Sequence, residues 1–185
     1  MVTYPGDAPY EEYPYRTHEN DGLHITRVLM ETHTGTHFDA PFHMIRDGKK
    51  VGDYPMERFL GKATVIECMD PVIDAEDIPK KHQAFVLFKT GNSERYNAFE
   101  KSFAHLSAEG AERLVEDGTK LVGVDYLSVD AFGSDNFEVH KILMRADILI
   151  LEGLVMANVA PGDYDLICLP LKMFQDAAPC RAILL

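Results

Sequence analysis

Positive charge is scarce in this chain. Eighteen lysines and arginines face thirty aspartates and glutamates, for a formal net charge of −12 and a pI near 5.0. Phosphate binding runs on clustered Lys and Arg, and no basic run occurs, so no nucleic-acid partner is expected. Cysteine is scarce too: three, an odd number, scattered along the chain. Cys68 and Cys168 sit in apolar runs where a small buried hydrophobe fits, and they read as the reduced thiols of a cytoplasmic protein rather than a disulfide framework. Only Cys180, just before Arg181, has beside it the cation that a reactive thiol needs. Long apolar stretches are missing as well. The most apolar segment, Ile148 to Ala160, is interrupted by Glu152 and too short to span a bilayer, and no secretory pattern opens the chain. Neither export nor a membrane partner is expected. There is no internal repeat, low-complexity tract or interdomain linker. At 185 residues and 46% hydrophobic, that leaves one domain over residues 1–185, able to bury a core without staples.

What is present has a clear order. Residues 1–22 hold Pro5, Pro9, Pro14, Gly6 and Gly22, turn chemistry rather than a periodic element, and read as an extended arm or lid. The arm carries Tyr4, Tyr10, Tyr13 and Tyr15, whose rings prefer partial burial; docking on a second copy or at a pocket mouth would satisfy them, and so would folding back on the same subunit. A homodimer or homotetramer is the expectation. Short apolar runs follow at Leu23–Thr32, Gly61–Met69, Ala84–Lys89, Leu121–Asp125, Ile148–Leu151, Tyr164–Leu169 and Ala182–Leu185, and these read as strands. Between them, Ala111, Leu114 and Val115 share a helical face, with Ser107 as its cap and Gly118 as its end. Strands alternating with short helices predict an α/β domain.

The chemistry concentrates in His33-Thr34-Gly35-Thr36-His37-Phe38-Asp39-Ala40-Pro41-Phe42-His43, with further candidates at His140 and Glu152. Histidine and aspartate together are ligands for zinc, manganese or iron. In a straight strand His33 and His37 would stand ~13 Å apart, too far for two metal bonds of ~2 Å. A helix is disfavoured by Thr34, Gly35, Thr36 and Pro41, so a tight loop pivoting on Gly35 is expected, tied down by the threonine hydroxyls. The bland alternative is a set of hydrogen-bonded structural histidines. Three histidines and an aspartate in eleven residues favour metal. For His140 the alternative is a helix-surface residue. A lone acid such as Glu152 in Ile148-Leu149-Ile150-Leu151-Glu152-Gly153 would be costly if buried without a cation.

The pattern His-Thr-Gly-Thr-His-x-Asp-Ala-Pro-x-His resembles the signature of the cyclase family of metal-dependent hydrolases, which includes kynurenine formamidase and isatin hydrolase. The likeness extends to Tyr4-Pro5-Gly6-Asp7, Lys120-Leu121-Val122-Gly123-Val124-Asp125 and Gly162-Asp163-Tyr164-Asp165-Leu166-Ile167-Cys168-Leu169-Pro170-Leu171-Lys172. It implies a single compact α/β domain of the swivelling β/α/β type, with a mixed central sheet and short helices. It also implies two divalent metals per subunit, zinc or manganese. His33, His37 and Asp39 would hold one, Asp39 and Glu152 would bridge to the second, His140 would ligate the second, and His43 would be the proton shuttle. The implied reaction is hydrolysis of an aryl formamide or cyclic amide by a metal-activated water, with N-formylkynurenine as the first substrate to try. Isatin or another cyclic amide, or metal binding without turnover, stands as the alternative. Tyr4 occupies the place of a substrate-contacting tryptophan, and Tyr126-Leu127-Ser128 replaces the formamidases' Thr-Pro-Ser, so machinery carries over better than specificity. Tyr4 and Phe42 are the candidate aromatic walls of the substrate pocket, with core packing the competing role for Phe42.

Overall fold

The central apolar runs become strands because both faces of the sheet they form are buried. The computed structural model describes residues 2–185. It begins with two antiparallel strands, β1 (Glu11–Arg16) and β2 (Ile25–Leu29), linked through a one-turn helix, α1 (His18–Asp21). Next come β3 (His37–Asp39), β4 (Leu60–Glu67), the short β5 (Val72–Ile73), β6 (Phe85–Lys89) and β7 (His105–Leu106). Helix α2 (Ala108–Glu116) leads into β8 (Leu121–Val124), and α3 (Glu138–Arg145) into β9 (Leu149–Glu152). The strands β10 (Gly162–Ile167), β11 (Ala177–Pro179) and β12 (Ile183–Leu184) complete the domain.

Eight strands make the main sheet, in the order β11-β3-β9-β8-β6-β4-β10-β12. Its centre, β9-β8-β6-β4, is parallel, and the strands on either flank pair antiparallel. Side chains alternate across a strand, so a parallel centre covered on both faces needs unbroken apolar runs such as Phe85-Val86-Leu87-Phe88. Phe85, Leu87, Leu149 and Leu151 join Phe38, Phe59 and Leu166 in one layer. Val86, Phe88 and Ile150 join Ala111 and Leu114 of α2 and Val139 and Leu143 of α3 in the other. The expected mixed α/β sheet with short helices is what forms.

Both larger helices start on hydrogen bonds that satisfy otherwise orphaned amides. The Ser107 hydroxyl accepts from Gly110 N at 2.9 Å, as its position predicts, and Gly118 N closes the end of α2 on the Val115 carbonyl. Helix α3 has no local side-chain cap: the preceding residue, Phe137, sits in the left-handed region at φ 48°. The carboxylate of Asp130 takes that role from a distance, accepting from Val139 N at 3.0 Å and His140 N at 3.1 Å.

The N-terminal segment differs from the expectation of a non-periodic arm over residues 1–22. Residues 11–16 form β1 against β2, and every residue of both strands is exposed. Backbone pairing, not a buried face, makes this ribbon, so no apolar alternation marks it in sequence. Pro14 is tolerated because a proline that donates no ladder hydrogen bond fits an edge strand, here next to an irregularity between Pro14 and Arg16. The expected strand at Leu23–Thr32 shortens to β2, and the residues after it coil into the site. No helix among the described residues is long and apolar enough to cross a membrane.

Candidate active site

The site is built where β3 meets β9. In their antiparallel register His37 faces Glu152 and Asp39 faces Ile150. Residues two apart share a face of a strand, so His37 and Asp39 point the same way while Phe38 between them is buried in the opposite layer. Helix α3 covers the shared face and brings His140 down onto it. Before β3 the chain turns through Gly35, at φ 73°, and His33 comes back beside His37 with ring centroids 5.0 Å apart. After β3, Pro41 opens a one-turn helix, Pro41–His43, which sets the His43 ring 4.2 Å from that of His33. Gly153 locks loop to strand. At φ 71° it lies so close that a Cβ there would stand 2.4 Å from the Gly35 carbonyl oxygen, and its own carbonyl accepts from the Thr36 hydroxyl at 2.7 Å.

The donor atoms converge. Nδ1 of His33 lies 2.9 Å from Asp39 Oδ1 and 3.2 Å from His37 Nε2, which is itself 3.2 Å from that oxygen. On the other side His140 Nε2 is 3.5 Å from Asp39 Oδ2 and 3.3 Å from Glu152 Oε1, while Glu152 Oε2 lies 3.7 Å from His37 Nε2. Ligands around a tetrahedral ion with ~2.1 Å bonds are about 3.4 Å apart, so these spacings are those of a coordination shell. Asp39 and Glu152 each turn one oxygen to either side.

Each of the three histidines has its second ring nitrogen occupied by an acceptor. His33 Nε2 meets Asp176 Oδ2 at 3.0 Å, His37 Nδ1 meets the Gly35 carbonyl at 2.8 Å, and His140 Nδ1 meets Asp130 Oδ2 at 2.5 Å. Carbonyls and carboxylates only accept, so those nitrogens carry the protons and the convergent ones present bare lone pairs. Lone pairs from three imidazoles and four carboxylate oxygens then face one another. Both oxygens of Asp39 are buried and accept no hydrogen bond, which is costly unless a cation sits among them. The residues present therefore fit a divalent metal. His33, His37 and Asp39 form one group with ligand atoms mutually within 4.8 Å, and Asp39, His43 and His140 form another.

Without metal, protons take over part of that role. Burial opposes charge on His33, but Asp39 and Asp176 beside it push its pKa up to about 9. Burial likewise opposes charge on His140, and the carboxylates of Asp130, Asp39 and Glu152 hold it well above its usual value. Asp39 is pulled far below the usual carboxylate range, against its burial, by His37 and His33. His43 goes the other way: burial lowers its pKa, so its ring is neutral near pH 7.

A cavity of about 330 Å³ opens over these groups, lined in part by Tyr4, Asp7, Met44, Leu127, Ser128 and Phe137. Tyr4 reaches it and is braced edge-on against Phe99 at 5.4 Å and against Phe132 at 5.9 Å. Phe42 is not brought there. It is 37% exposed, with Lys50 Nζ 4.7 Å above its ring, and neither lines the cavity nor packs in the core. The turn at Pro41 swings His43 inward and Phe42 outward. Cys180 is no activated thiol, since burial pushes its pKa up to about 12. Two residues of the site are not singled out by the sequence reading, Asp130 and Asp176. An aspartate ten residues before His140 could have been found as a remote helix cap. Asp176, a lone acid between Gln175 and Ala177, carries no local signal.

Fold and site together define an α/β protein with a buried cluster of histidines and carboxylates that fits a divalent metal. The chain belongs to the cyclase family: residues 2–131 match the family model described as "Putative cyclase". A kynurenine formamidase from Bacillus cereus is 37% identical over 194 residues, spanning 100% of this chain and 91% of that protein. A solved structure described as a potential metal-dependent hydrolase with cyclase activity superposes with a TM-score of 0.86 at 30% identity, over 100% of this chain and 90% of that one. Isatin hydrolase A from Labrenzia aggregata shares the fold, with a TM-score of 0.82 at 23% identity over 98% of this chain and 86% of its own.

Proposed function

We propose that this chain is a metal-dependent amidohydrolase of the arylformamidase type, acting on N-formyl-L-kynurenine or a close aryl formamide. One observation carries the reading: a fully buried aspartate ringed by three imidazoles whose outer nitrogens are each taken by an acceptor, so that their neutral forms turn lone pairs toward it. Two cations, zinc or manganese, fit the two sides of that aspartate. His33, His37 and Asp39 would hold one, and His140, Glu152 and Asp39 the other. When bound, such ions polarise a carbonyl and activate water at neutral pH.

The chain's own residues supply the rest. His43 is neutral near pH 7 and lies over both sides of the site, its ring 4.2 Å from His33 and 5.9 Å from His140. It takes a proton from the attacking water and returns it to the leaving nitrogen, without which an anilide leaves poorly. Tyr4, held by Phe99 and Phe132, offers an aromatic wall to the ring of the substrate. The cavity volume suits a small ligand. The Bacillus relative's name points to the same chemistry.

The test is turnover by metal-loaded protein of N-formyl-L-kynurenine, other aryl formamides, isatin and cyclic amides. Release of formate from the formamides is the expected result. Turnover of isatin alone would overturn the substrate, and stable metal binding with no turnover of any amide would overturn the enzyme.

The working unit is a homodimer or homotetramer in the cytoplasm. Its three free thiols support the location. The exposed β1–β2 ribbon supports the assembly, because Tyr13, Tyr15, Ile25, Val28 and Leu29 are each at least 42% exposed on it. A second copy covers them, and Tyr10, at the root of the ribbon, already lines the cavity, so assembly and substrate binding are coupled. Light scattering is expected to give a multiple of 20.8 kDa, and a fully active monomer would overturn the coupling.

A further inference from the structure

Three imidazoles turn a lone pair toward the centre, and each is fixed by an acceptor on its far nitrogen. Two of those acceptors are interior groups with structural duties of their own: the Gly35 carbonyl belongs to the loop that carries His37, and Asp130 caps α3. The third, Asp176, stands on the bend directly before β11 and is about a third exposed.

Asp176 is nevertheless firmly placed. Its carbonyl accepts from Ala40 N at 2.8 Å, directly after the ligand Asp39, and the neighbouring Gln175 carbonyl accepts from Val51 N at 3.0 Å. The Thr32 hydroxyl donates to Oδ1 at 3.2 Å, leaving Oδ2 for the histidines. That oxygen is 3.0 Å from His33 Nε2 and 3.6 Å from His43 Nδ1. The first distance is a hydrogen bond; the second lies just beyond hydrogen-bond reach, and a small ring rotation would close it. One oxygen thus faces both the outermost proposed ligand and the proposed proton carrier, whose rings are neighbours.

We propose that Asp176 is a positioning residue that fixes the tautomer and ring orientation of His33 for metal binding and holds His43 beside it for proton transfer. The proposal rests on the metal-dependent reading given above. Its physical basis is simple. A neutral imidazole carries its proton on either nitrogen, and only the form protonated at Nε2 presents Nδ1 to the metal. A carboxylate at Nε2 selects that form and makes the ligand more basic. The Thr32 hydroxyl keeps the carboxylate from turning away.

The experiment compares wild-type protein with D176A and D176N, using zinc and a competing chelator at fixed pH, and then N-formyl-L-kynurenine turnover at saturating zinc. D176A is expected to weaken zinc retention about 10- to 100-fold, the usual effect of losing such a partner. D176N is expected to lose less, because the amide oxygen still accepts from Nε2. At saturating zinc, kcat falls in the same order with KM unchanged, because His43 has lost its anchor while the cavity wall has not. Melting of the metal-free variants separates positioning from folding: a lowered midpoint with wild-type zinc retention and kcat would make Asp176 structural and overturn the proposal. So would D176A retaining zinc and kcat with no change at all. Wild-type protein that takes up no zinc would instead strike the reading underneath.

Discussion

The two halves of the site are built differently. Asp39, Glu152, His140 and its partner Asp130 stand on β3, β9, α3 and the loop before α3, with side chains at most 4% exposed. His33, His43 and Asp176 stand on loops and a single turn, at 20 to 32% exposure. The buried half is fixed by sheet register and helix packing, and holds charges that water cannot reach. The open half is adjustable and wet. A hydrolase needs both: ligands that do not move when a cation binds, and a proton carrier that can exchange with solvent.

On that division, the largest effects belong to the centre and to the strand face shared with the buried half. His37→Ala or His140→Ala is expected to lose bound metal and with it all turnover. Elemental analysis checks this against wild-type protein, which is expected to hold close to two equivalents when prepared without chelator. Either variant keeping a full complement would mean that the buried half is not the metal's anchor. Next comes the open half. His43→Ala is expected to keep its metal and lose ~100- to 10,000-fold in kcat, the range for a general acid–base group. Loss of metal instead would exchange the roles of ligand and proton carrier.

A smaller effect tests the joint between the halves. Gly153→Ala puts a side chain on a left-handed backbone and against the Gly35 carbonyl, the acceptor that orients His37. Strain of this kind costs ~1–3 kcal/mol, so the urea midpoint of the metal-free protein should fall, and zinc retention with it. Wild-type values for both would show that the loop yields freely.

The last effect is in pH. The pKa of His33 in the metal-free protein is raised from 6.5 to about 9, so its contribution to stability is full below about 6.5 and is lost as pH rises through about 9. Metal-free protein should therefore lose stability across that window. Metal must displace the proton, so zinc uptake at pH 7 should release protons and tighten as pH rises toward 9. Calorimetry in buffers of different ionisation enthalpy reads the proton count, and uptake without release would show that His33 is not a ligand.

How much of this is legible in the sequence depends on what holds each part in place. The central strands announce themselves, because Phe85-Val86-Leu87-Phe88 must be apolar on both faces. The helix behind Ser107 does so through its cap. The ribbon of β1 does not: Glu11-Glu12-Tyr13-Pro14-Tyr15-Arg16 pairs through its backbone and buries nothing. In the site, the cluster from His33 to His43 is legible from spacing, and the need for a loop at Gly35 follows from metal-bond reach. His140 and Glu152 become neighbours of that cluster only through α3 packing and strand register, which spacing does not encode, and here it is the family resemblance that identifies them. Asp130 and Asp176 are partners of histidines far along the chain, and a lone aspartate looks the same whether or not a histidine waits across the fold. Phe42 misleads because it lies next to His43 in sequence, where a single turn sends the two side chains apart.

The pairing of His37 with Glu152 has a consequence for how the chain folds. Side chains alternate along β3, so a slip of one residue against β9 would turn Phe38 toward α3 and drive His37 and Asp39 into the apolar layer. A slip of two would keep the face but part His37 from Glu152, so only the native register brings the proposed ligands together. A cation that binds only the gathered set lowers the free energy of that register alone, by an amount that grows with metal concentration. Metal in the growth medium would then act as a proofreader of strand alignment: a chain that paired its strands wrongly would be one that could not be loaded.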